Sequence, residues 1–344
     1  INFKKIVSSS TKKKEDITSI KQLLSTKKKI VIVPHKNPDG DAIGSTLGLC
    51  HYLLKHNHKV VVIAPNDYPE FLKWMPNEDT VLKYDSQKSI SDALIEKADI
   101  IFTLDFNDLS RTGNMETILT QSGAIKIMID HHQQPDDYAE YTYSDVKMSS
   151  TCEMVYNFID FLNDKSKIDA NIATCLYTGI MTDTGSFRFQ STTSNTHRII
   201  ALLIKKGAKN SQIHNAIYDT NSYNRLQLLG RALSNLKVLP EVNTAYITLS
   251  QDELNTYNFK KGDTEGFVNY ALSLEHIIFA AIFIEDQKQK IIKVSFRSKG
   301  EFSVNEFSRI HFEGGGHINA AGGRSELSLN ETVEKFISIL PSYK

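Results

Sequence analysis

Ile30-Val31-Ile32-Val33 runs through Pro34 into His35-Lys36-Asn37-Pro38-Asp39-Gly40-Asp41, and a helical pattern starts directly behind it. The β-branched run reads as a buried strand and Asn-Pro-Asp-Gly as a turn. Ile43, Leu47, Cys50, Leu53 and Leu54 then recur at helical spacing as far as His56. Two further β-type runs end the same way. Ile100-Ile101-Phe102-Thr103-Leu104 leads into Asp105, and Ile125-Lys126-Ile127-Met128-Ile129 leads into Asp130-His131-His132. Residues 60–63 read as another strand, with helical or polar stretches between the runs. This βαβα order implies an α/β fold with a mostly parallel sheet and helices on both faces. Strands that each end in a ligand-type side chain converge at the carboxyl edge of such a sheet, where open α/β folds place their sites.

A fourth segment, Asp183-Thr184-Gly185, follows a helical pattern over 170–181. A cluster of carboxylates and imidazoles at one sheet edge repels itself unless divalent cations neutralise it. Carboxylate oxygens suit hard octahedral ions, and added imidazole shifts the choice toward Mn²⁺ over Mg²⁺. Taken singly, each residue has an ordinary alternative. Asp39 and Asp41 could be turn and N-cap residues, and His35 a satisfied loop histidine. Asp105 and Asp183 are weak signals alone, whereas Asp130-His131-His132 is harder to dismiss. Their joint placement at successive strand ends points to a two-metal phosphoester hydrolase.

Composition bounds this reading without deciding it. The chain has 344 residues, 40% hydrophobic and 23% charged, enough for two domains of an ordinary globular protein. Its 40 basic residues balance 40 acidic ones, which argues against a protein that grips long duplex nucleic acid through its backbone. Cys50, Cys152 and Cys175 lie in apolar helical patterns and read as buried thiols in a reducing compartment. No apolar run approaches the roughly 18 residues of a membrane span. Lys4-Lys5 and Lys12-Lys13-Lys14 flank polar serines rather than the apolar core of a signal peptide, and read as a solvated basic tail. A cytoplasmic protein with no membrane partner is expected.

The character of the chain changes after about residue 189. Residues 196–206, 211–217 and 222–236 read as successive helices, and 244–249, 277–284 and 291–296 as strands, with a hairpin turn at Gln287-Lys288-Gln289. The expected division is a metal-binding domain over 1–190, a helical connector over 191–238 and a smaller α+β domain over 239–344. The connector could support a homodimer. His197 and His214 read as surface or core residues. In the last segment Glu313-Gly314-Gly315-Gly316-His317 allows close backbone approach, and 318–321 can begin a helix whose N–H groups favour an anion. Arg297, ending a strand-like run, could add a bidentate phosphate contact. Arg111, soon after Asp105, could touch substrate or stand as a solvated loop arginine.

The four acidic segments resemble motifs I to IV of the DHH phosphoesterases, named for the triplet present here as Asp130-His131-His132. The triple glycine and His317 resemble the GGGH motif of the DHHA1 domain that partners DHH domains. The resemblance implies that His35 and Asp39 bind one divalent ion, that Asp41, His131 and Asp183 bind the other, and that Asp105 bridges them. It implies that His132 faces the substrate phosphate and that Asp130 orients the two histidines. Arg297, Gly314, Gly315, Gly316, His317 and Arg111 become the expected substrate contacts.

A compact DHH–DHHA1 chain resembles the bifunctional nano-RNase and pAp phosphatase group, which implies hydrolysis of short single-stranded RNA to 5′-mononucleotides and of pAp to AMP. Stand-alone cyclic-di-AMP or pApA phosphodiesterases share the architecture. A regulatory nucleotide-binding protein that has lost catalysis is a third reading, and its mark would be a missing metal ligand.

Overall fold

The computed structural model describes the backbone of residues 10–343 and the side chains of residues 16–343. The lysine-rich start, Lys4 to Lys14, lies outside the described side chains. The chain forms two units that divide at Thr220 and Asn221. The expected connector is shared between them.

In the first unit the elements run α1 (Ser10–Leu23), β1 (Lys29–Pro34), α2 (Gly40–Leu54), β2 (Lys59–Ala64), β3 (Leu82–Lys83), α3 (Lys88–Glu96), β4 (Ile100–Leu104), α4 (Glu116–Gln121), β5 (Ile125–Asp130), β6 (Tyr141–Ser144), α5 (Thr151–Phe161), α6 (Ala170–Asp183), α7 (Ser194–Lys205) and α8 (Asn210–Tyr218). The sheet order is β3-β2-β1-β4-β5-β6, and every pairing in it is parallel. Alternation along the strands divides the core as a period of two requires. Ile30, Ile32, Ile100, Phe102 and Leu104 face α2, α5 and α6, whereas Val31, Val33 and Ile101 face the layer that holds Ile95, Met115 and Leu119. Strands buried on both faces read as continuous apolar runs, which is why these were legible. From β1 the chain builds outward to β2 and β3, then returns to build β4, β5 and β6 on the other side. The strand order therefore reverses between β1 and β4, the switch point that opens a crevice at the carboxyl edge.

Helices α2 and α6 cross very closely over this sheet. A Cβ at Gly44 would stand 2.6 Å from the Cys175 carbonyl oxygen, and one at Gly179 would stand 3.0 Å from the Asp41 Cα. The glycines thus set how near the start of α2, with Asp41, comes to α6, with Asp183. Helix α7 covers the same layer through Ile199, Ile200 and Leu203.

The second unit runs α9 (Tyr223–Ser234), β7 (Lys237–Leu239), β8 (Thr244–Leu249), α10 (Gln251–Thr256), α11 (Phe267–Leu272), β9 (Phe279–Asp286), β10 (Ile291–Ser298), α12 (Val304–His311), β11 (Gly315–Gly316), β12 (Ala320–Ser325) and α13 (Leu329–Ile339). Its sheet order is β11-β12-β10-β9-β8-β7, antiparallel except for the parallel pair β8 and β9. The β9–β10 hairpin closes where expected, with the Gln289 N–H donating to Asp286 Oδ1 at 3.0 Å. One face packs on α9 and α11, and the other carries Phe279, Phe283, Phe296, Phe307, Phe312 and Phe336.

One expectation fails here. Residues 318–321 do not begin a helix: Gly315 and Gly316 pair with Gly322 and Ala321, and β12 continues beside β10. Alanine favours a helix, but propensity is a weak local preference, and completing the sheet under α12 overrides it. Among the described residues no helix is long and apolar enough to cross a membrane.

Candidate active site

The crevice between β1 and β4 receives its first side chains from the β1–α2 turn. Asn37 holds the left-handed conformation, φ 56°, that lets the chain reverse. Its N–H donates to Asn66 Oδ1 at 2.7 Å, and Asn66 Nδ2 donates back to Asn37 Oδ1 at 2.8 Å. Asp39 caps α2: its Oδ1 accepts from Asp41 N at 3.0 Å and Ala42 N at 3.1 Å. The ordinary capping role is therefore real, and it leaves Asp39 Oδ2 directed toward His35 Nε2, 3.9 Å away. His35 Nδ1 lies 2.8 Å from the Lys36 carbonyl, which makes Nδ1 the donor and turns Nε2 into the crevice.

Asp105 follows β4 with φ 66°, an uncommon conformation for a non-glycine residue. Its Oδ2 lies 3.5 Å from His35 Nε2 and its Oδ1 lies 3.5 Å from His131 Nε2. One carboxylate thus stands between two imidazoles. His131 Nε2 is also 3.5 Å from Asp183 Oδ2 and 3.8 Å from Asp41 Oδ2. Ligand atoms of His35, Asp39 and Asp105 all lie within 4.8 Å of one another, and so do those of Asp41, His131 and Asp183.

Asp130 and the two histidines part company in a way the sequence did not show. Asp130 Oδ1 accepts from His132 Nδ1 at 2.7 Å and its Oδ2 from the His132 N–H at 3.0 Å. His131 Nδ1 instead meets the Met148 carbonyl at 3.2 Å. A carboxylate on Nδ1 sets the His132 tautomer and ring orientation.

Burial and mutual repulsion govern the charges. Asp41 and Asp105 are 1% and 2% exposed. Burial, with the Asp105 and Asp183 charges, raises the Asp41 pKa well above the usual carboxylate range. Burial and the charges of Asp39 and Asp105 push Asp183 up to about 7 against the pull of His131. Burial opposes ionisation of Asp105 too, but hydrogen bonds from His131 and His35 hold its pKa well below the usual range. Burial likewise opposes charge on His35 and His131, but the carboxylates around them together outweigh it, Asp105 and Asp39 at His35 and Asp105, Asp183 and Asp41 at His131, raising both pKa values. Among the described residues no lysine or arginine pairs with Asp39, Asp41, Asp105 or Asp183; histidines are their ion-pair partners. Carboxylates paired with imidazoles and with no lysine or arginine make a donor set fitted to hard divalent cations, which would displace the imidazole protons.

Several contributors gave no signal in the sequence. Thr151 and Cys152 donate backbone N–H groups to Asp41, and the Thr151 hydroxyl donates to Asp105. Asn107 Nδ2 donates to the Gln133 and Gln134 carbonyls and so ties the loop after Asp105 to the loop after His132. Behind Asp183, Gly185, Ser186 and Phe187 are three successive residues with positive φ. His197 on α7 and His214 on α8 pack on that turn: the Phe187 ring packs against both, and Ser186 Oγ meets His214 Nε2 at 3.2 Å.

Arg111 lies near enough to His35 for its charge to oppose imidazolium formation, and its carbonyl accepts from Lys36 N at 2.7 Å. In the second unit Arg297 lines a cavity of about 170 Å³ with Ser295, Thr264 and Glu265. With no helix starting at 318–321, no helix-start N–H groups face an anion there, and neighbouring amides are engaged inside the hairpin. Gly314 N donates to Ser308 O, Gly316 N to Asn305 Oδ1 and His317 N to Ala320 O.

Comparison with known proteins gives this arrangement a family. Residues 29–180 match the model for the DHH family, N-terminal domain, and residues 242–342 match the DHHA1 domain. A probable bifunctional oligoribonuclease and PAP phosphatase NrnA of Streptococcus mutans is 31% identical over 309 residues, covering 88% of this chain and 92% of the relative. The chain belongs to the DHH phosphoesterase family. As a DHH–DHHA1 protein it is a hydrolytic enzyme of a family that uses divalent metals. An exopolyphosphatase-related protein from Bacteroides fragilis, solved by crystallography, superposes with a TM-score of 0.92 at 41% identity, covering 99% of this chain and 98% of the other. The cyclic-di-AMP phosphodiesterase GdpP of Bacillus subtilis is 26% identical over 94% of this DHH chain but 49% of its own length.

Proposed function

We propose that this DHH enzyme hydrolyses short single-stranded oligoribonucleotides to 5′-mononucleotides and dephosphorylates pAp to AMP. The observation that carries the chemistry is Asp105, standing between two donor sets with one oxygen toward each. The substrate class is supported by the likeness, along most of both chains, to a relative named for those two activities.

In this reading His35, Asp39 and Asp105 hold one divalent ion, and Asp41, His131 and Asp183 hold the other, with Asp105 shared. When bound, such a pair lowers the pKa of water and stabilises charge added at phosphorus; the imidazole donors favour Mn²⁺ over Mg²⁺. His132, its Nδ1 held on Asp130, directs Nε2 at the phosphoryl group and donates a hydrogen bond to its developing charge. Arg111 on the first unit, and Arg297, Gly314, Gly315, Gly316 and His317 on the second, are the proposed substrate contacts. Three buried thiols without disulfides suit action in the cytoplasm.

Turnover of a matched panel with Mn²⁺ tests the assignment: labelled RNA of two to five nucleotides, a 24-mer, pAp and cyclic-di-AMP. Rapid cleavage of the short RNAs and pAp, with the 24-mer slow, is expected. Cyclic-di-AMP as the sole good substrate would transfer the enzyme to signalling-nucleotide turnover, and no turnover of any member would leave a nucleotide-binding protein.

A further inference from the structure

Helix α5 begins against the centre, and its first turn does more than start a helix. Ser150 already caps it, accepting from Glu153 N at 3.0 Å. Thr151 and Cys152 N–H groups are therefore available elsewhere, and they donate to the two oxygens of Asp41, at 2.6 Å and 2.9 Å. The Thr151 hydroxyl donates to Asp105 Oδ1 at 2.9 Å. One residue thus holds a carboxylate from each of the two donor sets. The partial positive charge of a helix start opposes the repulsion that would otherwise part these carboxylates.

The turn is itself anchored from behind. Glu153, 2% exposed, accepts from the Ser149 hydroxyl, from Thr196 Oγ1 at 2.9 Å and from Asn195 Nδ2 at 3.1 Å. Thr196 belongs to the capping box that starts α7. A buried carboxylate thereby ties the 149–151 segment to α7 by three side-chain donors, and no lysine or arginine is among its partners.

We infer that Thr151 is a positioning residue of the metal centre, setting the spacing and orientation of Asp41 and Asp105, and that Glu153 keeps it in place. The inference rests on the two-metal reading above. Thr151 touches neither substrate nor reacting atoms in this role; it acts through the carboxylates. Partners of metal ligands of this kind are worth about 10- to 100-fold in metal affinity.

The test is calorimetric titration of metal-free protein with Mn²⁺. Thr151→Val keeps the N–H to Asp41 and removes the hydroxyl donor to Asp105, so Mn²⁺ should bind about 10- to 100-fold more weakly. Thr151→Ser restores the donor and should bind near wild type. Glu153→Gln should weaken binding in the same direction. A folded Thr151→Val with wild-type affinity overturns the inference, as does a Thr151→Ser as weak as Thr151→Val. Should Thr151→Val not fold, Thr151→Ala is titrated against the same criterion. Wild-type protein that takes up no Mn²⁺ sinks the two-metal reading itself, a result distinct from either of these.

Discussion

Gly44→Ala is the perturbation whose size the structure sets most directly. The added Cβ would meet the Cys175 carbonyl oxygen at 2.6 Å and the Gly179 nitrogen at 3.1 Å, both backbone atoms that cannot swing aside. Overpacking of this kind costs about 1–3 kcal/mol. Alanine returns about 0.8–1 kcal/mol of helix propensity relative to glycine. With backbone on the far side the strain falls in the upper part of its range, leaving a net loss of about 1–2 kcal/mol. At about 2–4 °C per kcal/mol for a unit of this size, the calorimetric midpoint of the first unit should fall by about 2–8 °C. Gly230→Ala supplies the contrast. Gly230 lies exposed within α9 with nothing within 4 Å of its Cβ position, so the same substitution should stabilise the second unit by about 0.8–1 kcal/mol. Prising α2 from α6 also separates Asp41 from Asp183, and misplacement approaching 1 Å lowers turnover by about 100-fold. A Gly44→Ala protein with a raised midpoint, or with undiminished turnover, would refute the claim that this crossing sets the site.

Asp130→Asn should lower kcat by about 10- to 100-fold with KM little changed, because the His132 tautomer is lost while the proposed substrate contacts remain; steady-state kinetics showing an effect confined to KM would contradict this. Asn107→Ala removes the hydrogen bonds to the half-buried Gln133 and exposed Gln134 carbonyls and should cost about 0.5–1.5 kcal/mol, read as a lower unfolding midpoint of the first unit. Asp183, pushed up to about 7 by burial and by Asp39 and Asp105, holds its proton in the metal-free protein below that pH. Its raised pKa favours the folded metal-free state at low pH, and that contribution disappears as pH rises from about 4 to about 7. A cation must displace the proton, so Mn²⁺ should raise the melting temperature more at pH 7.5 than at pH 5.5, and equal increments at the two pH values would count against it.

The ends of β1, β4 and β5 were legible because a β-branched run buried on both faces is followed at once by a ligand-type residue. β6 was not, since Tyr141-Thr142-Tyr143-Ser144 is short, polar at alternate positions and on the sheet edge. β12 was misread for the opposite reason: Ala-Ala-Gly-Gly has little strand propensity, and pairing with β10 decides its conformation. At the site, residues that present ligand atoms announce themselves by type. Thr151 and Asn107 do not, because their work is done on partners 110 and 26 residues away, and nothing local distinguishes them from any threonine or asparagine. The three positive-φ residues behind Asp183 carry a glycine as their single local sign.

The central claim is two divalent ions sharing Asp105, and the stoichiometry of Mn²⁺ bound to the wild-type and Asp105→Ala proteins, measured alongside hydrolysis of an RNA dinucleotide, tests it most directly. Two ions per wild-type chain are predicted, with Asp105→Ala losing paired binding and turnover together. One ion per chain, or an Asp105→Ala protein that keeps full activity with Mn²⁺, would contradict it.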